Sequence, residues 1–199
     1  MSTSAREKAS YHHGDLRAAL LRAAGKLLEK EGVEALTVRA LTRRTGVSHA
    51  APYRHFRDRE SLLAALATEG FATLGREQRE AAAAGGLRAM GEAYVRFALA
   101  HPQRFRLMFG AHIEIARHPA LREVATTTFA GLSGALASRV GDAPGAGNAS
   151  IAAWALVHGL SHLLLDQKLA RAPRKAPDLE QFVHAVLGAV RFAVGQVPA

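Results

Sequence analysis

Three side chains of this 199-residue sequence stand at a spacing that metal chemistry uses. His158, His162 and Asp166 fall at i, i+4 and i+8, on one face of a helix, where two imidazoles and a carboxylate could converge on a divalent cation. The rest of a metal centre is missing from the pattern. There is no H-E-x-x-H, no cysteine, and no ligand set on a further element. No metal and no cofactor are therefore expected, and His158 is expected to pack on Trp154 with a buried hydrogen bond. Catalysis fares no better: the chain offers no nucleophile–base pair, no phosphate-cradling glycine loop and no paired carboxylates on a common face. The expectation is that it is not an enzyme, with a metal- or histidine-dependent enzyme built on a helical body kept as the alternative.

A second constellation is denser. Val38–Phe56, VRALTRRTGVSHAAPYRHF, reads as two short helices joined by a glycine-centred turn, the helix-turn-helix plan that lays its second helix in the DNA major groove. Ala50 and Ala51 are small enough to let a helix approach base edges, and a methyl can meet a thymine methyl. Tyr53, Arg54, His55, Arg57 and Arg59 are residue types that hold phosphates. Phe56 reads as core, and Arg43–Arg44 fit a solvated face as well as a DNA contact.

The charge distribution agrees. Lys and Arg number 26 against 17 Asp and Glu, a net +9, with a pI near 10.8. Residues 1–57 carry +6 of it, in under a third of the length. A basic head on a nearly balanced body is the pattern of a nucleic-acid-binding module joined to something else. A non-specific architectural DNA-binding protein fits the charge as well as a sequence-specific one does; specificity over bulk DNA separates the two.

The elements that must position these residues are helical throughout. Leu16, Leu20, Leu27 and Leu28 mark one helix face that Gly32 ends, and Leu36, Val38 and Leu41 a short second helix stopped by Gly46. Ser48 is placed to cap a third helix, with Pro52 at about its fourth position, shortening or distorting its start. Asp58 caps a fourth that runs toward Ala84, and Gly85–Gly86 breaks it before Leu87–Ala100. Pro102–Phe109, Pro119–Val140, Ile151–Leu169 and Asp178–Val197 complete about nine helices, with a loop at Gly141–Asn148 and a linker at Ala172–Pro177. The fold class expected is all-α: an N-terminal three-helix head, residues 1–57, then a helical bundle, residues 58–199, with the fourth helix linking them.

GVEALTVRALTRRTGVSHAAPYRHFRDRESLLAAL resembles the DNA-binding domain of the TetR (tetracycline repressor) family of transcriptional regulators, a likeness covering about residues 11–70. The G-V-S turn, the Y-R-H-F end and the acidic-basic-acidic-x-L-L opening of the fourth helix all stand in register. YHHGDLRAALL and the WALVHG at Trp154–Gly159 are similar to a branch with a Trp-His-Gly signature in its C-terminal domain. The resemblance implies a homodimer, an operator-binding head and a ligand-sensing body. It makes Thr37 a helix-cap phosphate contact and Arg39 a residue reaching base or phosphate. His49, Ala50 and Ala51 fall at the recognition positions, and Tyr53, His55 and Arg59 at phosphates; Ser48 and Arg54, adjoining them, complete the candidate DNA-binding set. Thr42 and Pro52 depart from the pattern, which commonly has alanine and a large aliphatic there.

In the body, Phe97, Phe105, Met108, Phe109, Trp154 and His158 offer an apolar wall with a polar handle or two, the make-up of a small-molecule pocket or simply of a core. Leu179, Phe182, Val183, Val186, Leu187, Val190 and Val194 form a stripe too apolar for an exposed last helix; with small Ala185, Gly188 and Ala189 they point to a four-helix contact with Ile151–Leu169 of a second copy. Residues 1–15 hold no signal peptide, and the uncharged run Ala143–Leu165 is broken by Pro, Gly and His residues, which favours a buried bundle helix over a membrane span. The expected protein is thus a cytoplasmic repressor that is released from a pseudo-palindromic double-stranded DNA operator by a small apolar ligand, with no membrane partner.

Overall fold

Leucine spacing along the first helix sets the architecture. In the computed structural model, which describes residues 4–48, 50–140, 146–175 and 177–190, α1 runs Ser4–Glu31 and buries Leu20, Leu21, Ala24, Leu27 and Leu28 on one face. It begins earlier than its apolar face does, because Ala5–Ala9 are good helix formers that need no core to propagate a helix. α2, Val38–Thr45, is bounded at both ends by chemistry visible in the sequence. Thr37 Oγ1 accepts the Ala40 amide at 3.1 Å, and Gly46 closes the helix at φ 68°, a left-handed conformation that glycine adopts without a Cβ penalty.

The third helix does not form as an α-helix. Between Gly46 and Asp58 the only helical element among the described residues is a 3-10 turn, Pro52–Arg54. Pro52 has no amide to donate, and its ring opposes the carbonyl four residues back. Ser48 offers its carbonyl to Ala51 (3.1 Å), and His55 then bonds Pro52, each closing i→i−3 rings instead of the wider α ring. α3, Arg59–Ala100, spans the fourth and fifth expected helices and is broken between them, as the two glycines predicted, where Gly86 takes the non-helical φ 72°, ψ −159°. With α3 counted as one element and the 3-10 turn set apart, the described residues hold seven α-helices: α4 Pro102–Phe109, α5 Pro119–Val140, α6 Ala146–Leu165 and α7 Asp178–Ala189 complete the set.

α6 starts and stops earlier than the Ile151–Leu169 expected. Its end is a hydrogen-bonded cap in which Lys168 N–H reaches Leu163 O (2.9 Å) and Gln167 N–H reaches Leu164 O (3.1 Å). The left-handed residue is Gln167, φ 53°, where glycine is usual, so no sequence signal marked the stop. Residues 191–199, including Val194, lie outside the described residues.

The chain packs as two compact units, Met1–Gly70 with Gln103–Arg122, and Phe71–Pro102 with Glu123–Ala199. In the first, the α1 leucines share a core with Leu36, Leu41, Phe56, Leu62, Leu63 and Leu66, and Gly70 leaves α3 bare where Met108 Sδ of α4 sits. In the second, Met90, Leu132, Leu136 and Ala153 form a cluster against Leu87, Ala135 and Trp154. Gly91 admits both Val157 of α6 and Leu187 of α7, the position where those helices meet α3.

Candidate nucleic-acid interface

α2 presents Arg39 and Arg43, four residues apart and hence on one face, both exposed and without an ion pair among the described residues. Arg44, one position around, is bound to Glu31 at 2.6 Å and belongs to the α1–α2 joint. Thr42, the departure at the helix contact, is buried with its hydroxyl donating to Arg39 O (3.0 Å), so the extra oxygen is satisfied inside the helix. Across the turn Ser48 and Ala50 are exposed and Ala51 half-buried. His49 lies outside the described residues.

The 3-10 turn points its aromatic outward. Pro52 and Phe56 are buried, and Arg17 lies 5.4 Å from the Phe56 ring centroid. Tyr53 between them is 55% exposed and Arg54 is exposed too, while His55 is half-buried. An exposed tyrosine beside an exposed arginine, each carrying hydrogen-bond donors, can hold phosphate oxygens.

Arg59 is engaged within the head. Its Nε donates to Leu36 O (2.8 Å) and its Nη2 to Val33 O (2.6 Å), with Glu34 at 3.7 Å. Both fork directions are taken by the carbonyls of the α1–α2 loop, so the cation expected at a phosphate holds the loop that leads into α2. Asp58 caps α3, accepting the Ser61 hydroxyl and amide at 2.7 Å each. Those bonds, with Arg57 beside it, hold its carboxyl down at about 2. Neighbouring Glu60 accepts the Glu114 amide (3.1 Å) and bonds Arg117 (3.3 Å) and His118 (3.1 Å). The Glu114 bond, then His118, lowers its pKa. Glu29 of α1 accepts the Gln103 and Arg104 amides, 3.1 Å each, capping α4. Sequence reasoning missed Glu29 and Glu60 because their partners lie 54–75 residues away and no local pattern marks them.

The expected apolar wall is divided. Phe105, Met108 and Phe109 belong to the first unit and Phe97, Trp154 and His158 to the second. Phe97 and Phe105 are wholly buried, hence core. Trp154, His158 and His162 stack in sequence along α6, with centroids 5.5 and 4.6 Å apart. Trp154 can only donate, so Tyr94 Oη accepts from it (3.4 Å), and a second hydrogen bond, of 2.8 Å, joins Tyr94 Oη to His158 Nδ1. Burial, then the neighbouring His162, lowers the pKa of His158, and burial raises that of Tyr94. No group of three or more metal-ligating side chains occurs among the described residues.

The α7 stripe splits between two faces. Val183 is buried and Leu187 packs at Gly91, whereas Leu179, Phe182 and Val186 are half-buried and Val190 is exposed. α6 is less covered than a bundle helix should be: over Gly147–Leu165 only 28% of residues are buried, although by length and composition it could cross a membrane. Ile151 and Leu163 are exposed, Ala152 and Ala155 lie open, and a Cβ on Gly159 would meet nothing.

Comparison with known proteins accounts for both halves. Residues 20–66 match the profile of bacterial regulatory proteins of the tetR family, and residues 87–190 that of a tetracyclin repressor-like C-terminal domain. A Rhodococcus sp. RHA1 protein of unknown function is 36% identical, with 90% of this chain and 95% of that one covered at TM-score 0.75. A putative regulatory protein is 26% identical over 90% and 97% (TM-score 0.72). The TetR family transcriptional regulator PfmR from Thermus thermophilus, 20% identical over 85% and 94%, shares the fold at TM-score 0.62. No curated protein sequence matches.

Proposed function

The chain belongs to the TetR family and is a DNA-binding transcriptional regulator, and we propose that it is a homodimeric repressor released from a pseudo-palindromic operator by a small apolar molecule. Members of this family are regulators rather than enzymes, bind operator DNA, dimerise and take small-molecule effectors. The observation that carries the DNA assignment is the exposed set Arg39, Arg43, Tyr53 and Arg54 on α2 and the turn after it, in which the three arginines have no ion pair among the described residues. In this reading Arg39, Thr37, Tyr53 and Arg54 hold phosphates, and His49, Ala50 and Ala51, with Ser48, face the bases. Arg59 positions α2 instead of touching DNA.

Dimerisation through α6 and α7 is supported by the uncovered apolar face of Ile151, Ala152, Ala155, Gly159 and Leu163, joined by Phe182, Val186 and Val190. A two-fold axis through that face presents two heads to half-sites one or more helical turns apart, about 34–36 Å per turn. The protein would act in the cytoplasm, where its operator is. Selection of bound sequences from random DNA at physiological salt tests the reading. A two-fold symmetric consensus is expected; enrichment without any consensus would leave the non-specific architectural alternative in its place.

A further inference from the structure

The second unit contains a cavity that the expected aromatic wall does not line. It measures about 600 Å³ and lies between the last turns of α3 and the start of α7, within the roughly 300–1,000 Å³ range of small-molecule sites. Val95 and Leu99 of α3 face Leu179 and Val183 of α7 across it. Among the charged groups on its wall, Glu92 is already engaged: its Oε1 lies 2.8 Å from His184 Nδ1 and 3.7 Å from Arg88 Nε. Glu180 sits in the first turn of α7, where the positive end of the helix dipole favours it. Arg96, exposed on the α3 wall, has no hydrogen bond or ion pair among the described residues. Arg96 is thus the cation of the α3 wall left unpaired among the described residues, facing the end of α7 that carries the Glu180 carboxylate, and the net +9 of the chain favours the approach of an anion.

We propose that this cavity is the effector site, and that its ligand is an apolar carboxylic acid whose chain lies between Val95, Leu99, Leu179 and Val183 while its carboxylate pairs with Arg96. The site deepens, and rests on, the effector-release reading above. It has a direct covalent route to the head. The α3 wall ends at Ala100, and three residues later the Gln103 and Arg104 amides are held by Glu29 of α1. A ligand that favours one setting of the α3 end biases the start of α4 next to it, by no more than its difference in affinity for the two states.

The test is calorimetric titration of the full-length protein, without DNA, with decanoate, decanol and decylammonium. Decanoate is expected to bind, decanol about tenfold or more weaker for want of the charge-assisted pair, and decylammonium not at all. Arg96→Gln should bring decanoate down to the level of decanol, and Leu99→Trp, checked for an unchanged circular dichroism spectrum, should abolish binding of both. Preference for decylammonium, decanoate binding indifferent to Arg96→Gln or Leu99→Trp, or no binding at millimolar ligand would each overturn the site. Operator affinity measured with and without saturating decanoate is read separately. Decanoate bound through Arg96 that leaves the operator complex intact would support the site and refute release by effector.

Discussion

Arg59→Ala separates a residue that holds the head together from one that holds DNA. The substitution removes two charge-assisted bonds, to Leu36 O and Val33 O. Such bonds contribute about 1.5–3 kcal/mol. With 39% of the side chain exposed, solvent screening reduces the two together to what one buried bond contributes, about 1.5–3 kcal/mol in total. For a chain of this length each kcal/mol moves the melting temperature by about 2–4 °C, so a fall of about 3–12 °C is expected. Operator affinity should drop for every sequence as α2 loses its anchor, but the slope of log K against log salt should stay where it was. Arg54→Ala is the opposite case: exposed and unpaired, it should leave the melt within about 0.5 kcal/mol and flatten the salt slope by about 0.9. Differential scanning calorimetry and filter binding over a salt series read both effects. An Arg59→Ala protein that melts normally while its slope flattens by about one would refute the reasoning and return Arg59 to the phosphates.

Three further outcomes are expected. His49→Ala should change which base is preferred at one operator position by about 1–3 kcal/mol; an unchanged selection profile would remove His49 from recognition. Ile151→Glu with Phe182→Glu should shift sedimentation from dimer to monomer at micromolar concentration, since both sit on the uncovered face of α6 and α7; a persisting dimer would place the interface elsewhere. His158 titrates below the ordinary imidazole range in the fold, so the unfolded chain takes up the proton first as pH falls below about 6.5. Its contribution is complete above that value and is lost toward the lower folded one. Stability should therefore decline as pH falls through about 6.5, His158→Gln should shallow that decline, and an identical decline in the variant would assign it to other groups.

Much of the scaffold was legible because its punctuation is local. Pro102 and Pro119 open α4 and α5 at the expected residues, Gly46 closes α2, and Gly86 breaks the long helix where two glycines said it would. What stayed hidden depends on partners far along the chain or on rare conformations. Gln167 stops α6 in a backbone state that residue type does not advertise. Ala146–Asn148 read as loop and turned out helical. Pro52 was visible, but not that its ring would leave a 3-10 turn in place of a helix. Arg59 looks like any basic residue near DNA until the carbonyls of Val33 and Leu36 are in view. The aromatic wall shows the opposite ambiguity: Phe97 and Phe105 are chemically apt for a ligand, and both are buried as core residues are.

The uncovered face of α6 also bears on how the regulator responds to its own abundance. In the dimer proposed above, a chain that leaves a long apolar helix largely open to water reaches its operator-competent form by meeting a second copy, so that form would grow with the square of the chain concentration while monomer predominates. Halving synthesis then more than halves the species that can span two half-sites. Control of the regulated promoter becomes a threshold in protein dosage, set by the apolar area of one helix and independent of any ligand.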